Sequence, residues 1–378
     1  MILNLKKFHL WLFLLFCLLN IDLFSTDRPL LLIGTNGKGA EGIYRVNFSE
    51  SSGRSSPLVL AAKIGSPNFL ALHPHENILY AVAKWETGAG VIGYQYDAQG
   101  TLVEFTRMEC PDGPGCHLAV HPSGKFLLTA QYAGGSVAQF FLNQTGELLD
   151  VLVQEHSGGS GIVANRQNSP HPHWCGFSPC GQFALVPDLG LDQIVTYQIR
   201  GNRPELVPHA KIQSLPGGGP RHMRFSPDGK HIFLLDELSL VIETFQWNST
   251  TGQATRISAV PTLQEDEKSG ETFNSAAEIL VHPTGNWVYS SNRGHDTVSV
   301  FQTTPNGTLN IIQKHPIRGA FPRNIKMNKA GTWLLAAGQD SATVSAHRIN
   351  QETGKLTYQR GAIFHVPNPT CLLFAEIK

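Results

Sequence analysis

Eight short segments of this chain carry ionisable or amide side chains where a turn would need only small or turn-forming residues. Four of them are Ser169-Pro-His171-Pro-His173, Gly219-Pro-Arg221-His222, Ala277-Glu278 and Phe321-Pro-Arg323-Asn324. Between them fall Pro187-Asp188-Leu-Gly190, Asp236-Glu237-Leu238-Ser239, Ser291-Asn292-Arg293-Gly294 and Gly338-Gln339-Asp340-Ser341. Arginine holds carboxylates and phosphates in two-pronged fashion and steadies a developing oxyanion. Histidine exchanges protons near neutrality, and a carboxylate orients water or moves a proton. Brought to one place, these residue types make a small-molecule site with anion-binding arginines and at least one acid/base carboxylate. Each group taken singly has a plainer reading, in which it satisfies a neighbour in a wet channel. The chain has no nucleophile elbow, P-loop or dinucleotide fingerprint, so covalent serine chemistry and nucleotide use are not expected. Cys175 and Cys180 lack histidines at ligand spacing, so neither a metal nor another cofactor is implied.

The elements that position these residues follow from a repeated phrase, apolar-His-Pro-x-Gly-x-apolar. Its clear copies are Leu72-His73-Pro74, Val120-His121-Pro122-Ser123-Gly124 and Val281-His282-Pro283-Thr284-Gly285. Looser copies are Phe177-Ser178-Pro179-Cys180-Gly181, Phe225-Ser226-Pro227-Asp228-Gly229 and Met327-Asn328-Lys329-Ala330-Gly331, with a degenerate seventh around Leu373–Glu376. Successive copies lie 46–57 residues apart. A fixed period of that size marks a repeated supersecondary unit. One unit reads as a short strand at 117–120, a Pro-Ser-Gly turn, a continuous apolar strand at 126–130, a Gly-Gly turn, a strand at 136–140 and an outer strand near 148–154.

Four antiparallel strands per unit is a β-propeller blade, and seven marks predict an all-β, seven-bladed propeller over residues 29–378. The last blade has one strand before the chain ends, and Leu30–Gly34 and Gly42–Phe48 supply strands from the other end. The ring therefore closes through N- and C-terminal strands sharing a blade, which protects both edges. Two longer units carry insertions, Gly158–Ser169 and Leu263–Gly270, each just before an innermost strand and hence on one rim. The eight segments above enter or leave the inner strands on that same rim. The histidines of the repeated phrase read instead as structural hydrogen-bonding groups.

Bulk properties agree. The chain has 378 residues, 37 of them glycine, only 15% charged residues and a formal charge of +0. That leaves no electrostatic footprint for nucleic acid. Lys6-Lys7 precede an apolar run from Leu10 to Leu19, so residues 1–25 read as a secretory signal peptide, too short to span a membrane comfortably. The expected location is secreted or periplasmic, without membrane attachment after cleavage, and cytoplasmic if that segment is a mistaken start. The five remaining cysteines are an odd set for a disulfide framework, and most read as buried thiols, although a Cys110–Cys116 loop is conceivable. The protein is expected to be monomeric.

Long phrases then carry a resemblance. Gly-Pro-Gly-Cys-His-Leu-Ala-Val-His-Pro-Ser-Gly-Lys-Phe-Leu (113–127), Pro-His-Pro-His (170–173), Val-Pro-Asp-Leu-Gly (186–190), Gly-Pro-Arg-His (219–222), Asp-Glu-Leu-Ser (236–239), Ser-Asn-Arg-Gly-His-Asp (291–296) and Asn-Pro-Thr-Cys-Leu-Leu-Phe (368–374) occur in one order. Together they resemble the propeller-type lactonases, a family that includes bacterial-type 6-phosphogluconolactonases and fungal 3-carboxy-cis,cis-muconate lactonising enzymes. By motif, the resemblance implies His173, Arg221, Glu237 and Arg293 as catalytic residues. Arg323, His171, His222, Asp188, Glu278 and Gln339 are the accompanying substrate-binding set. It implies hydrolysis of a sugar lactone, first 6-phosphogluconolactone in the pentose phosphate pathway. A lactonising isomerase or a lactonase for another acid is the second reading, and a non-catalytic binding propeller the third. The chain departs from the family at Thr35-Asn36, Val82-Ala83-Lys84 and Gln131, all on the channel rim, where substrate choice is made.

Overall fold

Each His-Pro-x-Gly phrase forms the tight turn between the two innermost strands of a four-stranded antiparallel sheet. The computed structural model describes residues 28–378, so the segment assigned as a signal peptide lies outside the described residues. Seven such sheets are arranged as the blades of a ring. Blade 1 begins at Gly65–Leu72, blade 2 at His117–Val120, blade 3 at Gly176–Phe177, blade 4 at Pro220–Phe225, blade 5 at Ser275–Val281 and blade 6 at Pro322–Met327. Blade 7 takes its inner strand from Pro369–Ala375 and its other three from Leu30–Thr35, Gly42–Asn47 and Val59–Lys63. The closure expected from sequence is therefore present, with one more N-terminal strand than the two read there. Val59–Lys63 is apolar in sequence but mostly exposed, as the outermost strand of its blade.

The second strand of each blade is buried along its length, as in Phe126–Gln131, Phe183–Asp188 and His231–Asp236, except that blade 1 ends its strand on the exposed Lys84 and half-buried Trp85. Its two faces pack against different neighbours. Leu31 and Ile33 join Trp333, Leu335 and Val344 of blade 6, whereas Leu30 and Leu32 join Leu79, Ala81 and Ile92 of blade 1. Period-two alternation thus sends successive side chains to opposite blade interfaces rather than to core and solvent. The core is accordingly seven apolar clusters, one between each pair of neighbours.

The turn histidines join blades. His73 Nε2 lies 3.1 Å from the Gly124 carbonyl, His121 Nε2 3.0 Å from that of Gly181, and His282 Nε2 3.0 Å from that of Gly331, each in the next blade. In all three, Nδ1 accepts backbone N–H bonds from its own turn, so the Nε2–H tautomer donates across the interface. Gly331 has φ +69°, and a Cβ there would meet His282 Nε2 at 2.5 Å. The glycine is required both by its left-handed backbone and by the imidazole of the preceding blade.

Candidate active site

Glu237 is the hub of the charged residues at one end of the channel. It follows the second strand of blade 4, His231–Asp236, and its backbone N–H bonds the Gly219 carbonyl across the turn. Arg221 Nε donates to its Oε2 at 2.9 Å, and Arg293 Nη2 lies 3.1 Å from the same oxygen. Arg166 Nη2 donates to Oε1 at 2.6 Å. His173 Nε2 stands 3.9 Å from Oε2. Arg221 and Arg293 are anchored further by the carbonyls of Ala277 and Ala276, and Arg293 lies over the Phe321 ring. Arg323 borders the same crevice and makes no hydrogen bond or ion pair with any described residue. Four guanidinium groups thus accompany one carboxylate, an excess of positive charge in a largely desolvated place.

Adjacent residues of one strand normally face opposite ways, yet Arg221 and His222 both line the crevice, as do Arg323 and Asn324. The reason is a β-bulge. Pro220 pairs with Asp236 and His222 with Leu235, leaving Arg221 as the extra residue, and Arg323 is left over between Pro322 and Asn324 in the same way. Blades 1, 5 and 7 shift register at the same level, between Gly65 and Phe69, between Ala276 and Ile279, and opposite Gly34/Thr35. Bulges re-aim a side chain and end pairing, and here they turn a guanidinium into the channel mouth.

The electrostatics follow from that crowding. Burial opposes the charge on Glu237, but Arg293, Arg221, His173 and the Arg166 hydrogen bond outweigh it and hold the carboxyl far below the usual carboxylate range. Glu237 is therefore ionised and is no proton donor near neutral pH. Burial, then the Arg221 charge, push His173 well below 6.5, with Glu237 opposing. His222 is pushed down likewise by burial and by Arg221. Burial lowers Arg293 to about 9, against the pull of Glu237, so it remains a cation at neutral pH. His173 is a neutral imidazole with both nitrogens only loosely engaged, Nδ1 lying 3.9 Å from Cys116 Sγ. It is free to take a proton from water.

The other residues expected at the site sit at different depths. His222 Nδ1 is 3.0 Å from Glu278 Oε1, and Asn324 Nδ2 donates to Glu278 Oε2 at 2.7 Å, so Glu278 lies one layer below the mouth. Asp188 is fully buried and engaged by protein: Oδ1 accepts the N–H groups of His171, Gly190 and Leu191, and Oδ2 meets His156 Nδ1 at 2.6 Å. His171 stacks on Tyr132 and donates to its carbonyl. Gln339 reaches the Asn36 carbonyl at 3.3 Å, on the rim between blades 6 and 7.

Sequence reasoning missed Arg166, Tyr132 and Cys116. Arg166 is the one charged residue in the insertion Gly158–Ser169, which was the available signal. Its neighbour Gln167 is fully buried, with Nε2 on the Leu189 carbonyl at 2.8 Å, and pins the loop over the mouth. A larger cavity, about 760 Å³, lies elsewhere, on the turn face near His73, Phe141 and Arg203. Its Arg203 and Asp150 pair with each other and its His73 is committed to the Gly124 carbonyl, so the channel mouth is the candidate site.

Fold and channel-mouth cluster define a propeller enzyme of the lactonase class. Residues 30–374 match the family described as "Lactonase, 7-bladed beta-propeller", and the chain belongs to that family. The chain is 32% identical over 346 residues to the 6-phosphogluconolactonase of Bacillus subtilis, spanning 90% of this chain and 97% of that protein. It is 29% identical over 331 residues to the 6-phosphogluconolactonase of Formosa agariphila, spanning 85% and 92% respectively. The crystal structure of a Lactobacillus plantarum protein, 28% identical, superposes with a TM-score of 0.85 over 92% of this chain and all (100%) of that one. The periplasmic gluconolactonase of Pseudomonas aeruginosa has the same fold, with a TM-score of 0.85 and 24% identity over 93% of this chain and 100% of that one.

Proposed function

We propose that this protein hydrolyses an acidic sugar lactone, with 6-phosphogluconolactone, opened to 6-phosphogluconate, as the leading substrate. The observation that carries the reading is the neutral His173 beside an ionised Glu237, within a group of four arginines that exceeds what one carboxylate needs. His173 takes a proton from a water held by Glu237, and the resulting hydroxide attacks the lactone carbonyl. Arg221, Arg293 and Arg323 steady the tetrahedral oxyanion. As the ring C–O bond breaks, protonated His173 returns its proton to the leaving alkoxide, so one water is added overall.

A substrate anion would also tune the base. Arg221 is the charge that most depresses His173 after burial, and Arg323 contributes. Neutralising those cations with a phosphate or carboxylate raises the imidazole's basicity once substrate is seated. The crevice itself leaves about 10 Å³ free, space for a water-sized group. A sugar ring must therefore sit at the mouth, where Arg166 keeps 34% of its side chain exposed.

The N-terminal segment supports a second substrate within the same chemistry. An exported enzyme would meet unphosphorylated sugar lactones, because phosphosugars are concentrated in the cytoplasm. A pH-stat assay of the mature protein against 6-phosphogluconolactone, gluconolactone and a muconolactone, corrected for spontaneous hydrolysis, separates the readings. Activity on none of them would leave a binding propeller. N-terminal mass analysis of secreted or periplasmic material tests cleavage near residue 25.

A further inference from the structure

Below the His222–Glu278–Asn324 layer the channel widens into a cavity of about 280 Å³, near the lower end of ligand-pocket size. Arg224, Lys326, Glu278, His117 and Trp174 face it, and Phe69 and Asn324 border both it and the upper crevice. Arg224 is two residues below His222 on the same strand face, and Lys326 two below Asn324. Arg224 donates to Glu278 Oε1 at 2.8 Å and lies over the Trp174 ring. Glu278 is already engaged at both oxygens, since Oε1 also accepts the Ile279 N–H and Oε2 the Asn324 amide. Lys326 makes no hydrogen bond or ion pair among the described residues. Two cations therefore share one fully engaged carboxylate.

Lys326 is half-buried, and a partly desolvated ammonium with no ion-pair partner is destabilising. Burial and the Arg224 charge lower the Lys326 pKa, which reflects the same cost. Lactone opening at the upper mouth uses neither Lys326 nor Arg224. We propose that this lower cavity is a second binding site, for a small oxyanion, in which Lys326 and Arg224 hold a phosphate or carboxylate group. The volume is enough for a phosphate or a short carboxylate with accompanying water. The proposal is independent of which lactone the upper site takes.

The test uses the full mature protein carrying Arg323→Met, which removes the unpartnered guanidinium of the upper crevice. Inorganic phosphate and, in a separate arm, acetate are titrated calorimetrically at constant ionic strength, and the arm that binds identifies phosphoryl or carboxylate as the preferred group. Adding Lys326→Met should weaken the remaining binding at least about tenfold, the loss of one charged hydrogen bond. Lys326→Met alone should raise Tm in anion-free buffer, by removing an uncompensated charge, while reducing the rise in Tm that the binding anion produces. Binding of equal strength with and without Lys326→Met overturns the proposal, as does the absence of binding in both arms before Lys326 is replaced.

Discussion

Glu237 draws its partners from three different segments, so its replacement has two separable effects. Glu237→Gln leaves the buried Arg221 and Arg293 without their counter-charge, and breaking such a group destabilises by about 3–5 kcal/mol. A lower Tm together with lost lactone hydrolysis is the expected outcome. The His173 side chain bears no such structural duty, the nearest polar contacts of its imidazole being 3.9 Å away. His173→Ala should keep the wild-type Tm while turnover falls by roughly 10²–10⁴, the usual size of a lost general base; near-normal turnover would remove His173 from the mechanism. Arg166→Gln removes a cation of the mouth together with its bond to Glu237 Oε1. It should raise KM for a phosphorylated lactone more than for gluconolactone, and equal changes on both would deny it contact with the phosphate. The acid limb of the pH profile carries the sign of the His173 shift. In kcat/KM, which reports free enzyme, it should lie below 6.5. In kcat, where bound anion has offset the arginines, it should lie at higher pH than in kcat/KM.

At the scale of the element, the repeated turn is an inter-blade joint. His282→Ala removes a buried bond to the Gly331 carbonyl, which keeps its bond from Gln351 Nε2, so the cost is that of one hydrogen bond, about 0.5–1.5 kcal/mol. Denaturant unfolding should show the loss with the secondary structure unchanged. The joints also set an acid limit. Burial lowers His73, His121 and His282 below 6.5, against the hydrogen bond each makes. Below pH 6.5 the unfolded chain binds protons that the folded imidazoles refuse. Their contribution is thus complete above that pH and fades as pH falls through the folded values. Tm measured from pH 7.5 to about 5 should decline, and less steeply in a variant lacking these imidazoles.

Over the whole molecule, stability rests on closing the ring. Pro369–Ala375 pairs along Leu30–Thr35 and joins the clusters shared with blades 6 and 1. Tyr96 of blade 1 holds the Glu376 carbonyl at 2.7 Å, which secures the end of the chain. Deleting residues 369–378 exposes the Leu30–Thr35 edge and opens two blade interfaces, so the shortened chain should aggregate and lose its single cooperative melt. Size-exclusion chromatography and calorimetry report both.

Blade number, ring closure and the rim that carries the candidate site were legible in the sequence, because a tight turn and an apolar strand are specified by residues close together in the chain. The family phrases likewise marked His173, Arg221, Glu237 and Arg293, which the fold brings around one carboxylate. What the sequence could not carry is the aim of side chains on adjacent residues. Arg221 and His222 share a crevice only because a bulge breaks the alternation of the strand, and that bulge is visible only in its pairing with Leu235 and Asp236. Arg166 comes from the path of a loop across the mouth, and Asp188 turns to backbone N–H groups that lie beside it only in the folded ring. Local pattern determined the scaffold, whereas convergence at the mouth depends on contacts between blades, which only the closed ring creates.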